Sequence, residues 1–280
     1  MKLIKNTPKI WIKKFPWKKK SSNKYSRGRV LILGGQKHMI GATILAAEAC
    51  LRVGVGSVKI ICTKETIKTL SLKFPSVLKV EINNISYLKS FLKKERKTTS
   101  VALVGPGAGS NSKTMKFTEE ILKQIKYVIL DADALNSFQH KTKKLLWHLD
   151  KFKLITPHKK EFHRLFPSIK TSLDDKEKVL KFIKLCKSNI LLKGNTTFIG
   201  SKDKIIKNTH SSSELAVIGS GDVLAGIIAS LVGDNKMSII EAATAAAWLH
   251  GDIARKYGKG LISEDLIKGI QSGLERLAKK

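Results

Sequence analysis

Short, uninterrupted apolar runs recur along this chain, each closed by small or polar turn residues and then by a stretch with helical spacing. Val30-Leu-Ile-Leu33 ends in Gly34-Gly35, and apolar residues follow at helical intervals from Ala42 to Val53. Ser57 to Cys62, Ser100 to Val104, Tyr127 to Leu130 and Phe152 to Ile155 repeat the pattern. Runs of this kind suit strands covered on both faces, as strands are when helices cross over between parallel neighbours. The alternation therefore predicts an α/β chain with a mostly parallel central sheet and helices on both faces. Ile190 to Lys193, Thr196 to Ile199 and Lys204 to Ile206 are separated only by Gly194-Asn195 and by Gly200 to Asp203, which reads as a hairpin-rich edge. A C-terminal helical segment follows, with helices expected to start near Gly221, Ser238 and Ser263. No internal repeat and no linker rich in Pro, Gly or Ser interrupts the pattern, so residues 24–280 are expected to form a single domain behind a basic arm of residues 1–23.

With 280 residues, 42% of them hydrophobic, the chain is long enough to bury a full core. Cys50, Cys62 and Cys186 are odd in number, far apart and free of any C-x-x-C spacing, which predicts reduced core thiols in a cytoplasmic protein and neither a zinc site nor a disulfide framework. The formal charge of +31 raises nucleic acid as a partner. The excess is mostly Lys, however, and it is spread along the chain without an RNP-type aromatic motif, a zinc finger or a basic coiled-coil region. A solvated lysine surface, with no specific nucleic-acid partner, is the better expectation. No stretch reaches the roughly 18 uninterrupted apolar residues of a membrane span. The amino-terminal segment has no Asp or Glu before Glu48, as transit peptides also lack acids, but it is Lys-rich with Trp11, Phe15 and Trp17 interleaved. It is expected to be an ordered or half-ordered arm packed on the domain or on a neighbouring subunit.

In an open parallel sheet ligands bind beyond the carboxyl ends of the strands. Five predicted strand ends carry conspicuous residues: Gly34-Gly35, Gly105-Pro-Gly107-Ala-Gly109, Asp131-Ala-Asp133-Ala-Leu-Asn136, Thr156-Pro157-His158 and Lys193-Gly194. Later in the chain, Gly219-Ser220-Gly221-Asp222 opens the apolar run Val-Leu-Ala-Gly-Ile-Ile-Ala-Ser-Leu-Val. A glycine turn at a helix start aims free amides at one point, where the helix dipole also favours an anion, so this junction suits a phosphate. A carboxylate there would repel a bound phosphate, which makes Asp222 better suited to take a proton from an attacking hydroxyl. The competing role for Ser220 or Asp222 is a helix cap. His158 could likewise cap the helix after it, and Asp131 and Asp133 could bond backbone amides in a turn. Neither a Walker A sequence nor the full G-x-G-x-x-G fingerprint is present, which excludes a P-loop NTPase and a Rossmann dehydrogenase.

In chain order, Arg29-Val-Leu-Ile-Leu-Gly-Gly, Gly41-Ala42, Leu51-Arg52-Val-Gly54-Val-Gly56, Gly105-Pro-Gly107, Asp131-Ala-Asp-Ala-Leu-Asn136, Thr156-Pro-His158 with Glu161, Leu192-Lys193-Gly194, Gly219-Ser-Gly-Asp222-Val-Leu-Ala-Gly226 and Leu249-His250-Gly251 form an ordered set. From about Lys24 onward this set resembles the ribokinase-like, carbohydrate-kinase-type family of ADP- or ATP-dependent NAD(P)H-hydrate dehydratases. The resemblance implies a repair enzyme that restores NADH and NADPH from hydrated forms, NADHX and NADPHX, by phosphorylating the ring hydroxyl and eliminating phosphate. It implies Mg2+ as cofactor with ADP or ATP as co-substrate. Ala42, Gly107, His158 and Asp222 would contact the hydrated dinucleotide. Lys193, Gly194, Asn195, Thr196, Thr197 and Gly221 would hold the donor, and Gly219, Ser220 and Gly221 would form the anion hole beside the catalytic base Asp222. A homo-oligomer, a tetramer being one form of it, is also expected, together with an NAD(P)H-hydrate epimerase on a separate chain, because the arm leaves no room for an epimerase domain.

Departures from the family pattern concentrate near the site. Ser220 stands where Thr is usual and keeps the hydroxyl. Ser211-Ser-Ser-Glu214 replaces a Gly-Asn-Pro-Gly run, Val217-Ile218 replaces small residues, and Lys159-Lys160 replaces Pro-Gly. Glycine supplies backbone angles that other residues reach only at a cost, so the loop shaping the anion hole is expected to be built differently. Two alternatives stay open at this level. One is a ribokinase-fold kinase for a thiazole- or pyridoxal-type alcohol, and the other a basic, non-enzymatic binding protein on a degenerate kinase scaffold.

Overall fold

A computed structural model describes all 280 residues of the chain. The elements run β1 (Lys2–Lys5), β2 (Arg29–Leu33), α1 (Ile40–Val53), β3 (Ser57–Cys62), α2 (Lys64–Lys73), β4 (Leu78–Glu81), α3 (Ile85–Glu95) and β5 (Val101–Val104). They continue through α4 (Ser112–Gln124), β6 (Val128–Leu130), α5 (Ala132–Asn136), α6 (Thr142–His148), β7 (Lys153–Ile155), α7 (Lys159–Leu165), α8 (Asp175–Leu185), β8 (Asn189–Leu192), β9 (Thr197–Gly200) and β10 (Lys204–Asn208). Helices α9 (Ser220–Gly233), α10 (Ile239–Tyr257) and α11 (Ser263–Ala278) end the chain, close to the three starts read from the sequence.

The ten strands form one sheet in the order β1-β10-β9-β8-β7-β6-β5-β2-β3-β4. Only β9 runs antiparallel to its neighbours, which makes the expected hairpin region of β8, β9 and β10. Side chains alternate between two cores as a pleated strand requires. Val30 and Ile32 point into one core with α1, α9, α10 and α11, while Leu31 and Leu33 point into the other with α3, α4, α7 and α8. Burial on both faces is why these strands read as continuous apolar runs.

Two strands lack that signature and were not expected. Lys2-Leu-Ile-Lys5 and Leu78-Lys-Val-Glu81 are the two outermost strands, each four residues long and mostly exposed or half-buried. Short, charged strands are a common way to blunt a sheet edge. Strand β1 pairs in parallel with β10, from Lys2 opposite Lys204 to Lys5 opposite Lys207. Behind it Trp11 is buried, and its Nε1 donates to Asn6 Oδ1 at 3.0 Å. Asn6 in turn donates to Asn208 Oδ1 and to the carbonyl of Thr244, both at 2.8 Å. The three cysteines are free, with Cys50 and Cys62 buried and Cys186 half-buried.

Helix α9 is buried along nearly its whole length, since it lies over the sheet between α1 and α10. Its approach to α1 needs Gly226: a Cβ there would fall 2.3 Å from the backbone oxygen of Ala46 and 2.9 Å from Ala49 Cβ. The clash is with backbone, so it is relieved only by separating the two helices. Gly226→Ala is expected to destabilise the fold toward the upper end of the ~1–3 kcal/mol typical of overpacking, read as a fall of several degrees in Tm by thermal denaturation. An unchanged Tm would mean that the two helices are free to move apart.

Candidate active site at the strand ends

The five conspicuous strand ends are held in register by ladder bonds that continue past the strands. Gly105 N donates to Leu33 O (3.2 Å), Asp131 N to Val104 O (3.0 Å), Thr156 N to Leu130 O (3.0 Å) and Lys193 N to Pro157 O (2.9 Å). Strand β2 lies between β3 and β5, so the order of strand addition reverses there and opens a crevice at the carboxyl ends. Gly107 sits in that crevice with φ +63°, where a Cβ would fall 2.2 Å from Met39 O at the start of α1. Half-buried Ala42 is in the first turn of the same helix. The next residue, Thr43, bridges the two loops that border the crevice by donating to Pro106 O at 2.7 Å and accepting from Gly35 N at 2.6 Å.

Asp131 is the hub between this crevice and α9. Its Oδ1 accepts from Lys193 Nζ and from Thr156 Oγ1, each at 2.8 Å. Its side chain is 2% exposed and that of Lys193 20% exposed. Burial alone disfavours the Lys193 charge, but the carboxylates of Asp131, Glu161 and Asp222 outweigh it and hold the ammonium above its usual pKa. The ammonium lies at the first turn of α9, 3.3 Å from where a Gly221 Cβ would stand. Asp133 accepts from Gly109 N at 2.9 Å, and burial raises its pKa despite that bond. Asp133 therefore bonds a backbone amide in a turn, whereas Asp131 makes no cap bond and pairs with a lysine 62 residues away.

At the α9 start, Gly219 takes the left-handed conformation (φ +89°) as N-cap. No side chain caps this helix, so neither Ser220 nor Asp222 plays the capping role. Ser220 N is used by Val217 O and the first intrahelical bond is Val223 N to Gly219 O, which leaves the amides of Gly221 and Asp222 without acceptors in the chain. The Asp222 carboxyl is pushed up to about 7, chiefly by burial and next by the Asp131 charge, with Lys193 opposing and Asp133 and Glu161 adding. A base with a pKa near the working pH, beside two free amides and an ammonium, is arranged to accept a proton while an anion is held.

His158 does cap its helix. Its Nδ1 accepts from Lys160 N (3.1 Å) and Glu161 N (3.3 Å), and Glu161 Oε2 accepts from His158 N at 2.8 Å. Because burial and the Lys193 charge outweigh Glu161, the imidazole pKa is lowered. In the neutral ring Nδ1 is the acceptor, so the proton stays on Nε2, and His158 lines a pocket at the α9 start. The cap and a ligand contact are compatible in one side chain.

That pocket, of about 430 Å3, brings together His158, Lys193, Gly194, Asn195, Thr197, Ser220 and Gly221, with Ser211–Ser213 and Leu215–Val217 as one wall. Thr196, Gly219 and Asp222 are adjacent in sequence to lining residues but do not line it, and Ala42 and Gly107 lie at the β2/β5 crevice instead. Sequence reasoning gave no role to His250, a lining residue whose Nε2 is 3.2 Å from Ser220 Oγ. Burial pushes its pKa down to about 4, so it is neutral at physiological pH. Leu249-His250-Gly251 marked the position, but nothing in the sequence pairs it with Ser220, 30 residues earlier.

The sequence profile described as NAD(P)H-hydrate dehydratase matches residues 30–271. The chain is 32% identical over 271 residues to the ADP-dependent (S)-NAD(P)H-hydrate dehydratase of Neisseria meningitidis serogroup B, covering 93% of this chain and 85% of that one. It spans about half the length, 53%, of the bifunctional NAD(P)H-hydrate repair enzyme of Dictyoglomus turgidum, to which it is 29% identical over 280 residues and 93% of this chain. Among solved structures, a ribokinase-like superfamily protein of Enterococcus faecalis superposes with a TM-score of 0.86 at 22% identity, covering 99% of this chain and 97% of that one. The ADP/ATP-dependent NAD(P)H-hydrate dehydratase of Bacillus subtilis, crystallised with ATP and Mg2+, superposes at 0.81 and 22%, covering 99% of each. The fold is thus ribokinase-like, and the chain belongs to the NAD(P)H-hydrate dehydratase family.

Proposed function

We propose that the chain restores NADH and NADPH from the S-epimers of their hydrates, using ADP or ATP as phosphoryl donor. The observation that carries this reading is Asp222, a carboxyl near neutrality set at the first turn of α9 beside two free amides and the Lys193 ammonium. Family membership supplies the substrate class. In this reading the dinucleotide enters the β2/β5 crevice past Ala42 and Gly107, with His158 Nε2–H as a donor. The nucleotide takes the pocket of Lys193 to Thr197 and Gly221. Asp222 removes the ring-hydroxyl proton as that oxygen attacks the terminal phosphorus, and the donor leaves one phosphate shorter. The amides of Gly221 and Asp222, with Lys193, hold the charge of the transferring group. The C–O bond to the new phosphate then breaks, phosphate leaves with that electron pair, and loss of a ring proton regenerates the dihydronicotinamide.

No three His, Cys, Asp or Glu side chains stand together as a metal cage. Magnesium would arrive on the donor's phosphates and share their charge. No helix is long and apolar enough to cross a membrane, and we place the enzyme in the cytoplasm as a homo-oligomer, working beside an NAD(P)H-hydrate epimerase.

Incubation with hydrated NADH or NADPH, Mg2+ and either donor should restore the reduced-nicotinamide absorbance. The dehydratase reading fails if neither donor does so while both bind. A thiazole- or pyridoxal-type kinase would instead accumulate a stable phosphoester.

The Asp222 pKa also predicts the acid limb of the rate profile. The base acts ionised, so kcat/KM should fall about tenfold per pH unit below a midpoint near 7. Asp131→Asn removes a carboxylate that raises that pKa and leaves the opposing Lys193 charge in place, so the midpoint should move to lower pH. A midpoint that stays put, or rises, would remove Asp131 from the electrostatics of the base.

A further inference from the structure

We infer that His210 is a positioning residue for the donor pocket, acting as the pin that sets where the wall of residues 211–217 leaves the sheet. This rests on assigning that pocket to the nucleotide. The wall is a strap with few attachments. Between Ser211 and Ile218 its only hydrogen bonds to the rest of the protein are near its ends, Arg255 Nη1 to Ser211 O at 3.5 Å at the first, and Ser220 N to Val217 O at 3.3 Å and Ser263 Oγ to Ile218 O at 2.6 Å at the second. The remaining bonds join the strap to itself, from the amides of Glu214 and Leu215 to Ser212 and from Ala216 N to Ser213 O. Half-buried Leu215 also packs against the core.

The first end is held mainly through the residue before it. The His210 ring lies flat on Trp248, with centroids 4.5 Å apart and planes 7° from parallel. Its Nε2 is 3.2 Å from Asp252 Oδ1, and the other Asp252 oxygen accepts from Arg276 Nε at 2.9 Å. Its backbone oxygen accepts from Asn208 Nδ2 at 3.3 Å and presses on Gly251, where a Cβ would be only 1.8 Å away. Trp248 is itself backed by Trp11, 6.1 Å between centroids, so the amino-terminal arm helps fix the ring that His210 stacks on. A loop with no proline of its own to stiffen it thus takes its position from a clamp at its root.

The test compares the full-length protein with His210→Ala and with His210→Phe, which keeps a ring on Trp248 and loses the Asp252 contact. Amide hydrogen exchange across 211–217 should speed up severalfold in His210→Ala and less in His210→Phe. Affinity for ADP and ATP, by calorimetry, should weaken about tenfold in the alanine variant and be partly rescued by Phe. In turnover the loss should fall on the donor KM, with kcat and the dinucleotide KM within about twofold. Exchange across 211–217 that is unchanged in both variants overturns the inference, as does an equal loss of affinity for donor and dinucleotide. If the parent protein binds neither ADP nor ATP, the assignment of the pocket falls, and the exchange comparison alone still decides whether His210 is the pin. Should His210→Ala fail to fold, His210→Phe against the parent carries the same comparison.

Discussion

Asp222→Asn is expected to lower kcat by about two to four orders of magnitude, the usual consequence of losing a general base, while leaving the fold and both ligand affinities nearly intact. The amide has the size and polarity of the carboxyl and caps nothing in the parent, since α9 has no side-chain cap to lose. Stability should not fall either. A carboxyl whose pKa is pushed up to about 7 by burial is worse off ionised in the folded protein than in the unfolded chain, so its ionisation opposes folding as pH rises from the unfolded pKa through 7. Replacing it with a neutral amide removes that penalty, and Tm at pH 8 should hold or rise. Single-turnover assays with saturating donor would isolate the chemical step. Turnover within a few-fold of the parent would remove Asp222 from the chemistry, and a variant that loses Tm and turnover together would make it structural.

The fold was legible where physics leaves a local mark. Strands β2, β5, β6, β7 and β8 are buried on both faces and so are written as continuous apolar runs, while β1 and β4 at the sheet edges bury too little to be written at all. The site was legible at its turns: Gly107, Asp131, His158 and Lys193 stand at strand ends, where backbone geometry and short polar side chains are constrained by the chain's own neighbours. What stayed hidden is pairing across distance. Lys193 meets Asp131 over 62 residues and Ser220 meets His250 over 30, and in each case the partner is chosen by which strands and helices pack side by side. His158 shows a further limit of residue-by-residue reading, because a helix cap and a ligand contact were weighed as rivals and one imidazole nitrogen serves the first while the other is left for the second.

Gly221→Val should abolish donor binding in practice, weakening ADP and ATP affinity by about 100-fold or more. Two charge-assisted bonds from the Gly221 and Asp222 amides are each worth at least ~1.5 kcal/mol, and each ~1.4 kcal/mol is a tenfold change in affinity. Valine supplies a branched side chain directly over those amides, and its Cβ alone would stand 3.3 Å from Lys193 Nζ, so the ammonium must shift slightly as well. The backbone does not resist the change: unlike Gly219, Gly221 needs no left-handed angle, and it lies in the first turn of a helix. Loss of binding with a preserved fold is therefore the expected pairing, checked by calorimetry beside thermal denaturation. The same variant separates the enzyme from a basic nucleic-acid binder. Charges on a solvated lysine surface are screened beyond about 8 Å at physiological ionic strength, so RNA binding by the parent should be weak and lost between low and physiological salt, with the donor losing much less. Gly221→Val should leave that weak RNA binding as it was. A parent that holds RNA tightly at physiological salt, or a variant that loses RNA and nucleotide together, would put the lysines of this chain to work on a polyanion and overturn the catalytic reading.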